Sequence, residues 1–137
     1  MKEDGNDKIE KLKQLVEEYR KQILELQDEA MCLCGHRFAK SELCRMIVEQ
    51  SEKKGYHDTP VPLASYVQRE EIQKKVLEAF ADGIFALKTL HPKLNDRDLL
   101  LLCLQASGLN NRAMAYCLGY PDIHALYKHK ERVRKKI

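Results

Sequence analysis

The sequence predicts an all-α protein with a long N-terminal helix, a helical connector and three short C-terminal helices. Two observations carry this prediction. Apolar residues recur at heptad spacing between Ile9 and Leu33, and a second apolar stripe of helical period runs from Ile72 to Leu87. No stretch shows the alternation of apolar and polar residues that is typical of a half-buried strand.

The N-terminal stripe has spacings of 3 and 4 residues without interruption over almost four heptads, a pattern that indicates a coiled coil. At 1.5 Å per residue such a helix is about 40 Å long. A narrow apolar stripe on a charged helix needs a partner helix, supplied by a second copy or folded back from later in the chain. We expect a homodimer, and the predicted contact residues are Ile9, Leu12, Val16, Tyr19, Ile23, Leu26, Ala30 and Leu33.

The heptad pattern changes phase at Gly35, which leaves open whether the helix bends through this residue or breaks there. A second helical piece is expected to about Lys53. Residues 55–64 contain two prolines and are predicted to be a connector. After Ser65, a capping-box serine, one helix is expected to about Leu90, and its apolar residues are Ile72, Val76, Phe80, Ile84 and Leu87, flanked by Leu77, Phe85 and Leu90.

Three short helices are predicted after Pro92. Asn95 is a good N-cap, and the helix that follows is apolar almost all round, which indicates a buried scaffold. Asn110 caps a second helix at 111–118, and Gly108 and Gly119 are typical helix-ending residues. Pro121 or Asp122 begins the third.

The third helix has one apolar stripe, predicted to comprise Ile123, Leu126, Val133 and Ile137. Six basic residues and one acidic residue follow Asp122, so this end has a charge of about +5, whereas residues 1–31 carry six basic and nine acidic residues. Such a basic tail suits DNA, although a solvated helix end is the simpler alternative. Base contacts are predicted for His124, Tyr127, Lys128 and Glu131, and phosphate contacts for Arg132, Arg134, Lys135 and Lys136. Packing at the edge of the core is the alternative for Tyr127 and His129.

Four segments at this end of the chain carry a family resemblance, namely Leu94–Asn95, Gly108–Ala115, Leu118–Gly119 and Arg132–Ile137. With them the chain resembles the LuxR/GerE-type helix-turn-helix, in the variant that ends Bacteroidetes regulators with helical or tetratricopeptide-repeat N-terminal parts. The chain departs from the family pattern at Ala113, where Glu is usual, and at Pro121, where a Ser or Thr cap is usual. The resemblance implies a bacterial DNA-binding transcriptional regulator whose sensor part lies outside this chain.

Composition excludes several classes of protein. The 137 residues contain neither an apolar run of membrane-spanning length nor an N-terminal signal peptide. The five cysteines, an odd number, favour reduced thiols and a cytoplasmic location. Cys32, Cys34 and His36 lack the spacing of a zinc knuckle, so no metal is predicted. Enzyme motifs are absent as well, and we expect neither catalysis nor a cofactor.

These observations divide the chain into a dimerisation helix at 1–36, a helical connector at 37–91 and a helix-turn-helix domain at 92–137. The predicted function is that of a transcriptional regulator, a coiled-coil dimer that binds double-stranded DNA. Two alternatives without DNA remain open. One is a coiled-coil scaffold with a basic, solvated end, and the other is a helical adaptor for an acidic protein partner.

Overall fold

A computed structural model of the protein describes residues 5–52 and 65–137, and it confirms the all-α class. These residues form seven helices and no strand. The predicted connector at 55–64 lies outside the described residues. The helices are α1 (Gly5–Ala39), α2 (Glu42–Glu52), α3 (Tyr66–Ala79), α4 (Ala81–Leu90), α5 (Asp96–Ala106), α6 (Asn111–Leu118) and α7 (Ile123–Lys136).

Helix α5 is the central scaffold, as its composition predicts. Leu99, Leu100, Leu101 and Leu104 are all at most 1% exposed. The helix contacts α1, α3, α6 and α7, so its side chains are covered from several directions. An apolar surface around a whole helix is stable only in such a position.

Helix α1 has two parts with different surroundings. Every residue from Gly5 to Leu26 is exposed, so this segment extends away from the remaining helices; we call it the arm. Met31, Cys34 and Phe38 are buried against the other helices. The helix continues through Gly35, where a Cβ atom would overlap the backbone carbonyl of Ala106. Gly35 therefore permits close contact between α1 and the end of α5 and does not end the helix.

The prediction of a single helix between Ser65 and Leu90 is wrong. The chain bends at Phe80 and forms α3 and α4. Phe80 has φ −104° and ψ 17°, and its fully buried ring lies 5.9 Å from that of Phe38. The bend lets α3 pack on α5 and α6 while α4 packs on α1. Phe85, expected at the edge of the stripe, is instead 76% exposed.

One hydrophobic core includes residues from all three predicted segments. Cys34 from the first segment lies in it together with Ile47 and Leu87 from the second and Leu104 and Val133 from the third. The boundaries at 36/37 and 91/92 therefore fall within a continuous core, because α5 and α6 contact α1, α2 and α3 as well as each other and α7. Of the helices that the structure describes, only the arm of α1 extends away from this core.

The predicted helix starts have the expected local chemistry. Asn95 and Asp98 form a reciprocal capping box, as do Ser65 and Gln68. Asn110 accepts a hydrogen bond from the backbone N–H of Ala113 at 2.8 Å. No helix in the described ranges is long and apolar enough to cross a bilayer.

Candidate nucleic-acid interface

The turn between α6 and α7 is built by two residues. Gly119 has φ +79°, a left-handed conformation that ends α6 without steric cost. Asp122 then caps α7, because its carboxylate accepts a hydrogen bond from the backbone N–H of Ala125 at 2.8 Å. Together they fix the direction in which α7 leaves the turn.

Helix α7 is attached to the core through one face. Leu126, His129 and Val133 are at most 3% exposed, and Ile123 is half-buried. Ile137, predicted to belong to the apolar stripe, is 57% exposed because the stripe ends with Val133. His129 takes an inner position instead, so the alternative of core packing is the correct one for this residue.

His129 is held in a chain of hydrogen bonds that joins α7 to α5. Its Nε2 lies 2.8 Å from Oδ1 of Asp98, and its Nδ1 lies 2.9 Å from the hydroxyl of Tyr120. The other carboxylate oxygen of Asp98 accepts hydrogen bonds from Lys136 at 2.6 Å and from the backbone N–H of Asn95 at 3.0 Å. Since a carboxylate only accepts, Nε2 carries the proton and Tyr120 donates to Nδ1.

The protonation states of His129 and Asp98 follow from their surroundings. Burial lowers the pKa of His129. The hydrogen bond that His129 donates to Asp98 opposes this shift, whereas the nearby positive charges of Arg132 and Arg97 reinforce it. Burial alone would raise the pKa of Asp98, but hydrogen bonds from Lys136 and a backbone N–H outweigh it and hold that pKa below its usual value. The imidazole of His129 is therefore neutral and lies beside the ionised carboxylate of Asp98, whose counter-ion is Lys136.

Lys136 differs from the other residues predicted to contact phosphates. Its side chain is 30% exposed, and its ammonium is bonded to a carboxylate that is 3% exposed. A buried carboxylate that loses its only ammonium partner is strongly destabilised, so Lys136 is needed in this position. Lys136 therefore has a structural role in the fold, while the phosphate contact predicted for it stays a prediction.

The remaining predicted contact residues share the opposite face of α7, and all of them are exposed. One local ion pair occurs on this face, between Glu131 and Arg134 at 3.3 Å. Because both partners are largely exposed, it contributes little to stability. The exposed residues are His124, Tyr127, Lys128, Glu131, Arg132, Arg134 and Lys135, and we call their surface the outer face.

One edge of the outer face is ordered by the start of α6. The side-chain amide of Asn111 donates to the hydroxyl of Tyr127 at 3.2 Å, and its carbonyl oxygen accepts from Lys130 at 2.7 Å. The ammonium of Lys130 also lies 5.7 Å from the centre of the Tyr127 ring, within the range of a cation–π contact. Lys130 is half-buried, in agreement with the stripe of α7 next to it. Tyr127 itself remains 53% exposed.

Sequence analysis missed residues that hold α7 from behind. Arg97 donates to the carbonyl oxygen of Leu118 at 2.9 Å and lies 5.1 Å from the centre of the Tyr120 ring. Asp98, the capping partner of Asn95, also binds His129 and Lys136. The sequence signal for this second role is weak, because the partners are 31 and 38 residues away.

The cysteines and a groove between α2 and α3 lie outside this interface. Cys34 and Cys44 are buried in the core while Cys32 is exposed. Throughout residues 5–52 and 65–137, no three His, Cys, Asp or Glu side chains form a group that could hold a metal ion. A groove of about 640 Å³ lies between α2 and α3, with Leu43, Met46 and Ile72 among its lining residues.

Comparison with protein-family models, curated proteins and solved structures found no match. The functional interpretation therefore depends on the geometry and charge of the outer face.

Proposed function

We propose that the protein binds double-stranded DNA through the outer face of α7 and regulates transcription. One observation carries the proposal: α7 buries a single face on α5 and α6 and leaves the basic opposite face uncovered by any described residue. In a helix-turn-helix protein the recognition helix is attached in this way, and its free side enters the major groove. Helices α6 and α7, with the tight turn at Gly119 between them, fit the same geometry.

The outer face separates into two groups along the helix. His124, Tyr127, Lys128 and Glu131 lie on its first part, the part of a recognition helix that usually contacts base edges. Lys128 has donors suited to guanine O6 and N7, whereas Glu131 can accept a hydrogen bond from cytosine N4. Tyr127 accepts from Asn111, so its own O–H remains able to donate.

The second group is suited to phosphates. Arg132, Arg134 and Lys135 lie near the C-terminal end of α7, where the helix leaves the groove and approaches the DNA backbone. Such contacts position a protein on the duplex without reading its sequence. Lys136 is not included, because Asp98 holds its ammonium.

We further propose that two copies associate through the arm and bind two half-sites. The heptad residues of the arm are exposed and have no intramolecular partner helix among the described residues, which supports association between copies over the fold-back alternative. A two-fold dimer would double the contacts to DNA and favour a palindromic operator.

Fluorescence anisotropy with labelled duplexes at several salt concentrations tests DNA binding. Lys128→Ala should weaken binding to a selected site by about 1–3 kcal/mol and affect random duplexes less. Lys135→Ala and Arg132→Ala should weaken all duplexes alike and reduce the slope of log K against log salt by about one unit each. Lys21→Ala, which removes the same charge from the arm, is the matched control and should leave both quantities unchanged.

Two results would change the proposal. Equal effects of Lys128→Ala on selected and random duplexes would make α7 an electrostatic anchor that does not read sequence. If none of the α7 substitutions altered DNA binding, α7 would not be the binding surface, and if the unmodified protein bound no duplex, it would not be a DNA-binding protein. The exposed heptads of the arm would then favour the second candidate, a coiled-coil scaffold or adaptor that binds a protein.

A further inference from the structure

The apolar stripe of the arm remains uncovered along its length. Its large side chains are between 42% and 64% exposed, which is unusual because monomeric soluble proteins rarely leave a contiguous apolar surface of this kind in water. The stripe consists of Ile9, Leu12, Val16, Tyr19, Ile23 and Leu26, and it continues to Leu33, which is 53% exposed.

Beside the core the stripe is covered only in part, because Ala30 is half-buried whereas Leu33 is exposed. Met31, Cys34, Gly35 and Phe38 form the face of α1 that packs on the other helices. At 100° per residue, the centre of that face lies about 150° around the helix from Leu33 and about 90° from Ala30. A partner helix can therefore lie along the stripe from the arm to Leu33 on a side of α1 that faces away from the core.

The two heptad positions of the stripe have different side chains. Every large residue at the a position is β-branched, namely Ile9, Val16 and Ile23, whereas the d position holds Leu at 12, 26 and 33 and Tyr at 19. In a parallel pair, a packs on a and d on d, so the two kinds of layer have different shapes, and β-branched residues at a with Leu at d favour a two-stranded parallel coiled coil. In an antiparallel pair every layer combines a with d, and this separation would serve no purpose.

We propose that the occupant of the stripe is a second copy of this chain, paired in parallel and in register from Ile9 to Leu33. The inference rests on the dimer of the proposed function and adds its orientation. It places the two cores at the same end of the coiled coil, one on each side, because the face that binds the core is turned away from the seam.

The flanking positions are compatible with this register. Position g of one helix faces position e of the next heptad on its partner. Leu15 then faces Arg20, whose aliphatic stem can cover it, and Gln22 faces the amide of Gln27. The one pair of like charges, Lys8 with Lys13, is near the exposed start of the helix, where solvent screens it.

The orientation has a direct consequence for DNA binding. Two α7 helices at the same end of a dimer can reach one face of a duplex, one helical turn or a small number of turns apart. In an antiparallel dimer the cores would lie at opposite ends of a coiled coil about 40 Å long. The parallel pair is therefore the arrangement that suits closely spaced half-sites.

Spin labels on the outward f positions distinguish the two orientations in the full chain without DNA. Gln14, Lys21 or Asp28 is changed to cysteine, one per variant, and the new cysteine carries the label. All variants also contain Cys32→Ser, which removes the exposed native thiol. The four remaining cysteines are buried, and burial raises the pKa of the Cys103 and Cys117 thiols to about 12, so they resist labelling. Pulsed electron paramagnetic resonance then measures the distance between the two copies.

A parallel, in-register dimer gives one distance at all three label positions. In an antiparallel dimer, the same label in the two copies is offset along the coiled-coil axis, and moving the label by one residue changes this offset by about 3 Å, because both copies move by about 1.5 Å in opposite directions. Whatever the register, the offsets of at least two of the three label positions then differ by about 20 Å. Unequal distances, or a sedimentation measurement showing a monomer or a trimer at tens of micromolar, would overturn the proposal. DNA binding is not used in this test, so failure of the proposed function and failure of the parallel pairing are separable.

Disruption of the seam provides a second measurement. Val16→Asp combined with Ile23→Asp places charges in an apolar interface and should lower the association constant by at least about 100-fold. Gln14→Asp introduces the same carboxylate on the outward side of the same helix and should leave association unchanged. An unaffected dimer in the double variant would show that the copies associate elsewhere.

Discussion

The arm and α7 have similar amphipathic patterns but opposite surroundings. Both are charged helices with one narrow apolar stripe, yet Val16 in the arm is 57% exposed whereas Leu126 in α7 is fully buried. The stripe of α7 is covered by α5 and α6 of the same chain, while no described element covers the arm. Periodicity therefore indicates that a helix needs a partner, and the tertiary structure shows whether the chain itself supplies one.

The largest expected effect separates these two stripes directly. Leu126→Ala should reduce the free energy of unfolding by about 2–5 kcal/mol, because it leaves a cavity between α7 and the core. Val16→Ala, measured at concentrations below the dimerisation range, should change it by no more than about 0.5 kcal/mol, since the removed methyl groups are already in water. Chemical denaturation provides both values. Equal losses would mean that the arm packs on the core, contrary to the structure.

Substitution within α1 should show where the arm ends and the core begins. Gly35→Ala gains about 1 kcal/mol in helix propensity, but its methyl group would overlap the backbone of Ala106, which cannot move like a side chain. We expect a net loss of about 2 kcal/mol or more in unfolding free energy. Gly5→Ala, at the open start of the same helix, is the control and should be neutral or stabilising. A stabilised Gly35→Ala variant would show that α1 does not approach α5 closely.

A smaller effect should follow from the histidine on the inner face of α7. The pKa of His129 is lower in the folded protein than its ordinary value of 6.5, so below about pH 6.5 the unfolded chain binds a proton that the folded chain does not. Stability should therefore fall as pH decreases from 7 to 5. It should fall further as the pH approaches the depressed pKa of Asp98, where the carboxylate becomes protonated and loses its charge interaction with Lys136.

Denaturation of two variants across this pH range tests the assignment. His129→Gln should be less stable at pH 7 but should lose less stability between pH 7 and 5 than the unmodified protein. His124→Gln removes an imidazole from the outer face of the same helix, and it should keep the original pH dependence. If both variants kept the full dependence, other groups would be responsible for it.

Much of the local structure could be predicted from single residues and their spacing. The caps at Ser65, Asn95 and Asn110 and the glycine after α6 are where the sequence places them, because helix ends are decided by local hydrogen bonds. The exposed residues of α7 follow from its angular pattern as well. The roles of those residues in DNA binding stay predictions.

The features that the sequence did not predict depend on partners distant in sequence. Lys136 and Lys135 are equivalent in composition, and only the fold brings Asp98 to one of them. The bend at Phe80 has no local breaker, and it arises because α3 and α4 pack on different helices.

The sequence alone determined the all-α class, the heptad stripe of the arm and the basic end of the chain, because these depend on periodicity and charge within short segments. Only the tertiary structure decided that Gly35 continues α1, that one core joins α1 to α7, and that no described helix packs on the apolar stripe of the arm. The reason is physical: burial, close backbone contact and buried ion pairs are properties of residues that meet in space, and sequence spacing does not specify which ones meet.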